Sequence, residues 1–219
     1  MVDLISGLRP EVVRDNLVCV RQRIADAGRD PAEVEILAAI KYLPASELQA
    51  LADGGVTVVG ENRAQELIAK QQVAGDVFAW DFIGRLQSRK VRDLVGRVRY
   101  IHSVASDSAL EQLGRHGTSE TEVMLEVNVA GEDAKGGIPP AQLPAFLERC
   151  PVAVVGLMTM PPQTDRPERN RRHFAALREL AERHGLRQLS MGTSQDYPVA
   201  ASEGATIVRL GTSLFRISA

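Results

Sequence analysis

A lysine at the end of an apolar segment is a candidate reactive group in this sequence. Residues 34–40 are mostly apolar, Lys41 follows them, and Pro44 ends the segment. A short apolar run between turn signals is typical of a strand buried on both faces. An amine at the mouth of such a sheet is desolvated, which favours the neutral form that attacks carbonyl groups. We therefore expect Lys41 to be a nucleophile; a lysine that reaches past the strand into solvent is the alternative.

Two Gly-Thr-Ser triplets form the second candidate site. They occupy residues 192–194 and 211–213, and each follows an apolar segment predicted to be a strand. Glycine lets a ligand approach the backbone closely, and Ser or Thr adds a hydroxyl donor. One such triplet is also common in plain turns, but two together predict a phosphate-binding cup. We expect this cup to include Thr193, Ser194, Gly211 and Thr212.

A reactive lysine and a phosphate cup together predict a phosphorylated aldehyde as the ligand. Pyridoxal 5′-phosphate is the cofactor that carries both groups. Arg209 lies just before the second triplet, and we expect it to face the pyridine nitrogen. A sugar phosphate, with Lys41 as an aldolase-type Schiff base, is the alternative ligand.

The hydrophobic pattern predicts how these residues are brought together. It indicates eight strands, and a helix follows each of the first seven. Strict alternation within 219 residues predicts an α/β fold, a closed (β/α)8 TIM-type barrel, over an open sheet with more polar edge strands. The carboxyl ends of the barrel strands would then form the site. The predicted strands lie at about 34–43, 56–60, 78–84, 98–102, 122–129, 152–158, 188–191 and 206–210.

An additional helix is predicted before the barrel. Residues 10–27 carry apolar side chains at helical spacing, and Gly28 ends the pattern. No linker or change in composition divides the chain. We therefore expect one domain, 1–219, with the extra N-terminal helix at about 10–27 and the barrel at about 34–217.

The composition narrows the class of protein. The net charge is −2, from 26 basic and 28 acidic residues, which gives no sign of nucleic acid or a membrane as a partner. Cys19 and Cys150 stand alone and the four histidines are scattered, so we expect neither a disulfide nor a catalytic metal. With no signal-peptide pattern or membrane-length apolar segment, we expect a cytoplasmic protein.

An ordered set of motifs covers residues from about 34 to 217. It resembles the pyridoxal phosphate homeostasis proteins, also called the YggS-like or proline synthetase co-transcribed family. The matching motifs are Ala39-Ile40-Lys41, Gly60-Glu61-Asn62, Phe82-Ile83-Gly84-x-Leu86-Gln87-x-x-Lys90, Asn128-x-x-x-Glu132-x-x-Lys135-x-Gly137, Gly156-Leu157-Met158, Leu189-Ser190-Met191-Gly192-x-Ser194-x-Asp196 and Val208-Arg209-Leu210-Gly211-Thr212-x-x-Phe215.

The resemblance implies a fold like the N-terminal barrel of bacterial alanine racemase. It implies that Lys41 is the aldimine lysine, that Asn62 lies beside the cofactor ring and that Arg209 meets the pyridine nitrogen. Ser194, Gly211 and Thr212 would hold the phosphate.

Four positions depart from the family pattern. Ile40 stands where serine is common, Asp81 where histidine precedes Phe-Ile-Gly, Thr193 where methionine is usual, and Arg216 where glycine follows the phenylalanine. None of these removes the lysine, the arginine or the cup. We expect the changes at Asp81 and Thr193 to alter contacts beside the ring.

An arginine at the pyridine nitrogen limits the chemistry of the site. Two positive charges about 3 Å apart repel by roughly 5 kcal/mol at an effective dielectric constant near 20, which is about four pKa units. The unprotonated ring stabilises carbanions poorly. Racemases of this fold also take a second acid/base, a tyrosine, from another domain, and we expect no room for one after Gly211-Thr212.

We therefore expect a carrier of pyridoxal 5′-phosphate for intracellular homeostasis and delivery, without strong catalytic activity of its own. Its partners would be the cofactor and apo-enzymes that receive it, and it would be a monomer or weak dimer. A one-domain pyridoxal phosphate-dependent amino-acid racemase, using Tyr42 as an acid/base, is the alternative. Lys135 is a weaker candidate for a second aldehyde-binding lysine.

Overall fold

The computed structural model describes residues 4–132 and 136–216, and Lys135 of the predicted loop motif lies outside them. Eight parallel strands form a closed barrel in chain order, and β8 pairs with β1. This confirms the predicted (β/α)8 barrel. The strands are β1 (Glu35–Ala39), β2 (Val58–Glu61), β3 (Ala79–Phe82), β4 (Tyr100–Val104), β5 (Glu122–Glu126), β6 (Ala153–Met158), β7 (Gln188–Thr193) and β8 (Ile207–Leu210).

A helix follows every strand, including a short one after β8 that the sequence pattern did not predict. In the described part of the chain the helices are α1 (Pro10–Asp26), α2 (Leu48–Asp53), α3 (Ala64–Ala74), α4 (Val91–Leu94), α5 (Asp107–His116), α6 (Leu143–Arg149), α7 (Arg171–Arg183), α8 (Tyr197–Ser202) and α9 (Thr212–Phe215). Among these helices, none has the length and apolar composition needed to cross a bilayer.

Helix α1 precedes the barrel, as predicted, and packs against α2, α8 and α9. Its apolar stripe of Val13, Val20 and Ile24 is buried. Asn16 lies on the same stripe, and its amide donates to the carbonyls of Leu214 and Arg216 at 3.0 and 2.9 Å. A buried amide requires such partners. These bonds fix α1 to the chain that follows the second Gly-Thr-Ser triplet.

The interior of the barrel is divided between apolar and polar side chains. The main core lies between the strands and the helices, whereas a smaller apolar cluster has members on β1, β2, β5, β6 and β8. The three remaining strands contribute buried polar residues: Asp81 from β3, His102 from β4 and Ser190 from β7. Hydrogen bonds join these side chains across the barrel. The polar group reaches Arg209 of β8 at the carboxyl end of the strands.

The turn after β3 depends on the absence of a side chain at Gly84. A Cβ atom there would lie 2.1 Å from the carbonyl oxygen of Asn62, and that backbone cannot move without distorting the adjacent loop. We predict that Gly84→Ala lowers the free energy of unfolding, measured in urea, by about 1–3 kcal/mol or more. Gly114→Ala in α5 is the control, because its Cβ would meet only Pro151 at 3.7 Å. The control should stabilise the helix by roughly 0.5–1 kcal/mol; equal effects would contradict this explanation.

Candidate functional site

Lys41 lies in a turn, two residues beyond the end of β1. Ile40 makes one more ladder bond, from its N–H to the carbonyl of Gly60 at 3.0 Å, and the chain then leaves the sheet. The Lys41 side chain is exposed, and its Nζ lies 4.8 Å from the centre of the Tyr42 ring. The expectation that the strand end desolvates this amine is therefore wrong. The amine is instead accessible to a ligand that reaches the barrel mouth.

A buried ion pair holds the backbone before Lys41. Lys70 of α3 places its Nζ 2.5 Å from Oε2 of Glu61 and 2.8 Å from the carbonyl oxygen of Ile40. The other oxygen of Glu61 accepts the N–H of Asn62 at 2.6 Å. Both charged residues are less than 5% exposed. Their contacts therefore join the ends of β1 and β2 to α3.

Lys70 is a positioning residue that the sequence interpretation missed. It follows Ala64 and Leu67 at three-residue spacing, and all three are buried. That spacing places Lys70 on the inner face of α3, where a lysine requires a charged partner. The pattern could therefore have indicated burial, although it does not identify Glu61 as the partner.

We predict that Lys70→Met lowers the free energy of unfolding by about 3–5 kcal/mol, because it leaves the Glu61 carboxylate buried without its partner. Lys70→Met combined with Glu61→Gln should recover part of this loss. Lys90→Met is the matched control, since its 3.3 Å pair with Asp93 is partly exposed, and such a pair contributes less than about 1 kcal/mol. A Lys70→Met effect no larger than the control, in urea unfolding, would contradict the account.

The two Gly-Thr-Ser triplets meet at the mouth, because β7 and β8 are neighbours. Oγ of Ser194 lies 3.2 Å from the N–H nitrogen of Gly211, 3.4 Å from that of Ser213 and 2.9 Å from the Ser213 hydroxyl. Gly211 caps the short helix α9. Converging N–H groups and hydroxyls at a helix start are typical of phosphate sites. The structure thus brings Ser194 and Gly211 of the predicted cup together with Ser213, and phosphate binding there stays a prediction.

The cup lies beside β1, the strand that leads to Lys41. A Cβ atom on Gly211 would be 3.6 Å from the carbonyl oxygen of Ala39, the last residue of β1. Thr212, the first residue of α9, is exposed at the same end of the barrel. An accessible amine beyond β1 and N–H and hydroxyl groups beyond β7 and β8 fit the two ends of a phosphorylated aldehyde.

Thr193 has a different environment from the other predicted cup residues. Its N–H and its hydroxyl both donate to Oδ1 of Asp196, at 2.8 and 3.1 Å. Before it, Gly192 has φ of +90°, and a Cβ there would lie 2.6 Å from the Cβ of Ala200. Thr193 therefore shapes the turn after β7 in this structure, and a contact to phosphate stays a prediction.

Arg209 is a buried cation whose orientation is fixed. Its Nη1 donates to the carbonyl and hydroxyl of Ser190 at 2.7 and 2.5 Å, and its Nη2 donates to the carbonyl of Thr159 at 2.9 Å and to Sδ of Met160 at 2.8 Å. Burial lowers the pKa of Arg209 to about 10, against the opposing effect of Glu126 and Asp196. The guanidinium therefore remains charged at neutral pH.

Asp81 lies inside the barrel at the centre of a charged network. Its carboxylate accepts hydrogen bonds from Arg99 at 2.7 and 3.1 Å and lies 3.0 Å from Nε2 of His102. Burial alone would raise the pKa of Asp81, but the bonds from His102 and Arg99 outweigh it and lower that pKa. Arg99 also contacts both carboxylate oxygens of Glu35. Asp81, which departs from the family pattern, therefore has a positively charged partner in Arg99 and a hydrogen-bond partner in His102.

Glu126 is a second residue that the sequence interpretation missed. The predicted fifth strand continued to residue 129, but β5 ends at Glu126. Asn128 instead structures the following loop, where its amide donates to the Glu132 carbonyl at 2.8 Å. Burial raises the pKa of Glu126, while Arg209 and Arg85 oppose the change. A partly buried carboxyl group near Arg209 therefore belongs to the candidate site.

The raised pKa of Glu126 predicts a pH-dependent effect of Glu126→Gln. A carboxyl whose pKa is higher in the folded chain than in the unfolded chain destabilises the fold once the pH rises above both values. Glu126→Gln should therefore increase the free energy of unfolding near neutral pH and leave it unchanged in acid, where both states are protonated. The exposed Glu120→Gln serves as control. A difference in urea unfolding that does not change with pH would contradict this prediction.

The cysteines and the acidic residues that the structure describes offer no further centre. Cys19 and Cys150 are free thiols. Within residues 4–132 and 136–216, no group of three His, Cys, Asp or Glu side chains is close enough together to hold a metal ion.

Comparisons with known proteins agree with this geometry. The sequence model of the alanine racemase N-terminal domain family matches residues 11–219. The pyridoxal phosphate homeostasis protein of Aquifex aeolicus is 40% identical over 203 residues, which cover 86% of this chain and 89% of that protein. The protein of the same name from Pseudomonas aeruginosa is 38% identical over 217 residues, covering 93% and 94% of the two chains.

Solved structures also resemble this chain. PipY of Synechococcus elongatus, solved with pyridoxal phosphate bound, has a TM-score of 0.79 and 33% identity, and the match covers 93% of this chain and all of PipY, 100%. Alanine racemase of Corynebacterium glutamicum has a TM-score of 0.74 at 15% identity, covering 97% of this chain and 62% of the racemase. At that identity the racemase supports only the fold.

Proposed function

The chain belongs to the alanine racemase N-terminal domain family and, within it, to the pyridoxal phosphate homeostasis proteins, and we propose that it holds pyridoxal 5′-phosphate covalently on Lys41. The observation that carries the proposal is the convergence of Ser194, Gly211 and Ser213 beside the strand that leads to Lys41. The cofactor bound to PipY supports the choice of ligand.

The residues of the mouth have separate tasks in this proposal. When bound, the cofactor supplies an aldehyde that condenses with an amine and a ring that withdraws electrons. Lys41 provides the amine, which is exposed and therefore accessible. The N–H groups and hydroxyls around Ser194 bind the phosphate, together with Thr212 and Thr193. Asn62 lies next to the ring, and Arg209 faces the ring nitrogen.

Arg209 favours a carrier over an enzyme. Its four contacts fix the guanidinium, and its pKa of about 10 keeps it charged at neutral pH. A fixed positive charge disfavours protonation of a nearby ring nitrogen. The unprotonated ring withdraws electrons weakly, so the site binds the cofactor without making it a strong catalyst.

The position of Tyr42 argues against the racemase alternative. Racemisation requires an acid/base group on each face of the substrate. The ring of Tyr42 lies under the Lys41 ammonium, 4.8 Å away, so both groups are on the same side of the mouth. We therefore propose a role in cofactor homeostasis and delivery to apo-enzymes in the cytoplasm, with the protein acting as a monomer or weak dimer.

Borohydride reduction tests the covalent link. We predict that the protein incubated with pyridoxal 5′-phosphate shows a visible absorption band, and that after reduction the pyridoxyl mass lies on the peptide with Lys41. Lys41→Ala should lose both signals, whereas Lys90→Ala should keep them, because Lys90 pairs with Asp93 outside the cup. No label, or label on the Lys135 peptide instead, would contradict the assignment.

A second measurement separates carrier from racemase. The protein with its cofactor is incubated with alanine in deuterium oxide, and exchange at the α-carbon is followed by proton NMR. We expect exchange no faster than with free pyridoxal 5′-phosphate. Rapid exchange that disappears in Lys41→Ala would favour the racemase.

A further inference from the structure

A continuous chain of hydrogen bonds crosses the barrel interior from Arg209 to Asp81. Nη1 of Arg209 lies 2.5 Å from Oγ of Ser190, and that Oγ lies 2.8 Å from Nδ1 of His102. Nε2 of His102 lies 3.0 Å from Oδ2 of Asp81, which Arg99 also contacts. Ser190, His102 and Asp81 are fully buried, and Arg209 is 6% exposed.

The ionisation states of Asp81 and His102 determine which atom donates in each hydrogen bond of this chain. The lowered pKa of Asp81 keeps its carboxylate ionised at neutral pH, so it can only accept hydrogen bonds. Burial lowers the pKa of His102 although Asp81 opposes the change, so this histidine is neutral and carries one N–H. That N–H must be on Nε2, facing Asp81. Nδ1 is then a bare acceptor for the Ser190 hydroxyl.

The direction of the Ser190 hydroxyl determines how it meets Arg209. Because its proton points to His102, its lone pairs are available to the N–H of Arg209. In the opposite tautomer, the N–H on Nδ1 of His102 would donate to Oγ of Ser190. The serine hydroxyl would then have no acceptor on His102, and its O–H would be free to turn toward the guanidinium. Two donors facing each other cannot bond. The Nε2–H tautomer thus supports the observed contact between Ser190 and Arg209.

We propose that Ser190, His102 and Asp81 are positioning residues that hold the Arg209 guanidinium in a single orientation at the barrel mouth. The carboxylate at the far end makes each acceptor along the chain stronger. The orientation of Arg209 toward a bound cofactor rests on the proposed function. The order of hydrogen bonds does not, because it follows from contacts within the chain.

A hydrolytic role for the same three residues is inconsistent with their burial. A serine, a histidine and an aspartate in hydrogen-bond contact resemble the catalytic triad of serine hydrolases. Here each of the three side chains is fully buried, and Ser190 is also bonded to Arg209. A substrate cannot reach that hydroxyl, so positioning is the function that the contacts support.

The tautomer of His102 is the first test. Nitrogen-15 NMR of the full-length protein, without added cofactor, distinguishes a protonated from an unprotonated ring nitrogen, and His102→Gln assigns the signal. We expect an Nε2–H, Nδ1-bare imidazole near neutral pH. An Nδ1–H tautomer or an imidazolium would overturn the proposal, whether or not pyridoxal 5′-phosphate binds.

Asp81→Asn extends this test. The carboxylate accepts from two groups of Arg99 and from the Tyr100 N–H. An asparagine keeps most of these bonds by turning its NH₂ toward His102. We therefore expect His102 to change to the Nδ1–H tautomer. An unchanged tautomer in a folded variant would overturn the assignment of Asp81, and the wild-type spectrum decides the matter if this variant does not fold.

Ser190→Ala tests the effect on the ligand. It removes the hydroxyl acceptor of Arg209 while leaving Asp81 to fix His102, so the Nε2–H tautomer should persist. We expect the dissociation constant for pyridoxal 5′-phosphate to rise about tenfold, with a shift of the visible absorption maximum. The exposed Ser108→Ala is the control. Unchanged affinity and spectrum in Ser190→Ala would refute the positioning role, whereas absence of binding in every protein, wild type included, would refute the proposed function instead.

Discussion

The burial of one guanidinium group is the constraint on which the interior of this barrel depends. A charged side chain in a protein interior is costly unless hydrogen bonds satisfy its donors. Ser190 and Thr159 satisfy those of Arg209. Ser190 then needs an acceptor for its own proton, which is His102, and His102 needs Asp81. Each partner requires the next, and for this reason β3, β4 and β7 place polar side chains where the other strands place apolar ones.

A second buried charge organises the part of the mouth formed by β1 and β2. The ammonium of Lys70 bonds to Glu61 and to the carbonyl of Ile40, so the ends of two strands and a helix are held together. Lys41 follows immediately, with its backbone held and its side chain exposed. The amine can therefore move to meet a ligand, while its starting point relative to the cup at Ser194 stays fixed.

Local patterns in the sequence predict the fold and part of the candidate site. The alternation of strands and helices predicts the barrel, because each element has its own periodicity. The two triplets predict the cup, since neighbouring strands end at the same face. The partner of Arg99 could not be predicted, because Glu35 lies 64 residues away and their contact depends on the register of the closed barrel. The apolar pattern continues past the residue at which β1 ends, and for that reason it predicts a desolvated amine at Lys41 where the structure has an exposed one.

The charge of Arg209 connects this architecture to the choice between holding a cofactor and using it. The carboxylate of Asp81, at the end of this chain, is three hydrogen bonds away, through Ser190 and His102. It orients the guanidinium but is too distant to cancel its charge at the mouth. Glu126 and Asp196 favour the charged form of Arg209, so an oriented positive charge stands where the ring nitrogen is proposed to lie. In the proposed function, such a site holds the phosphorylated ring and gives it little help in stabilising a carbanion, which is the balance that a carrier requires.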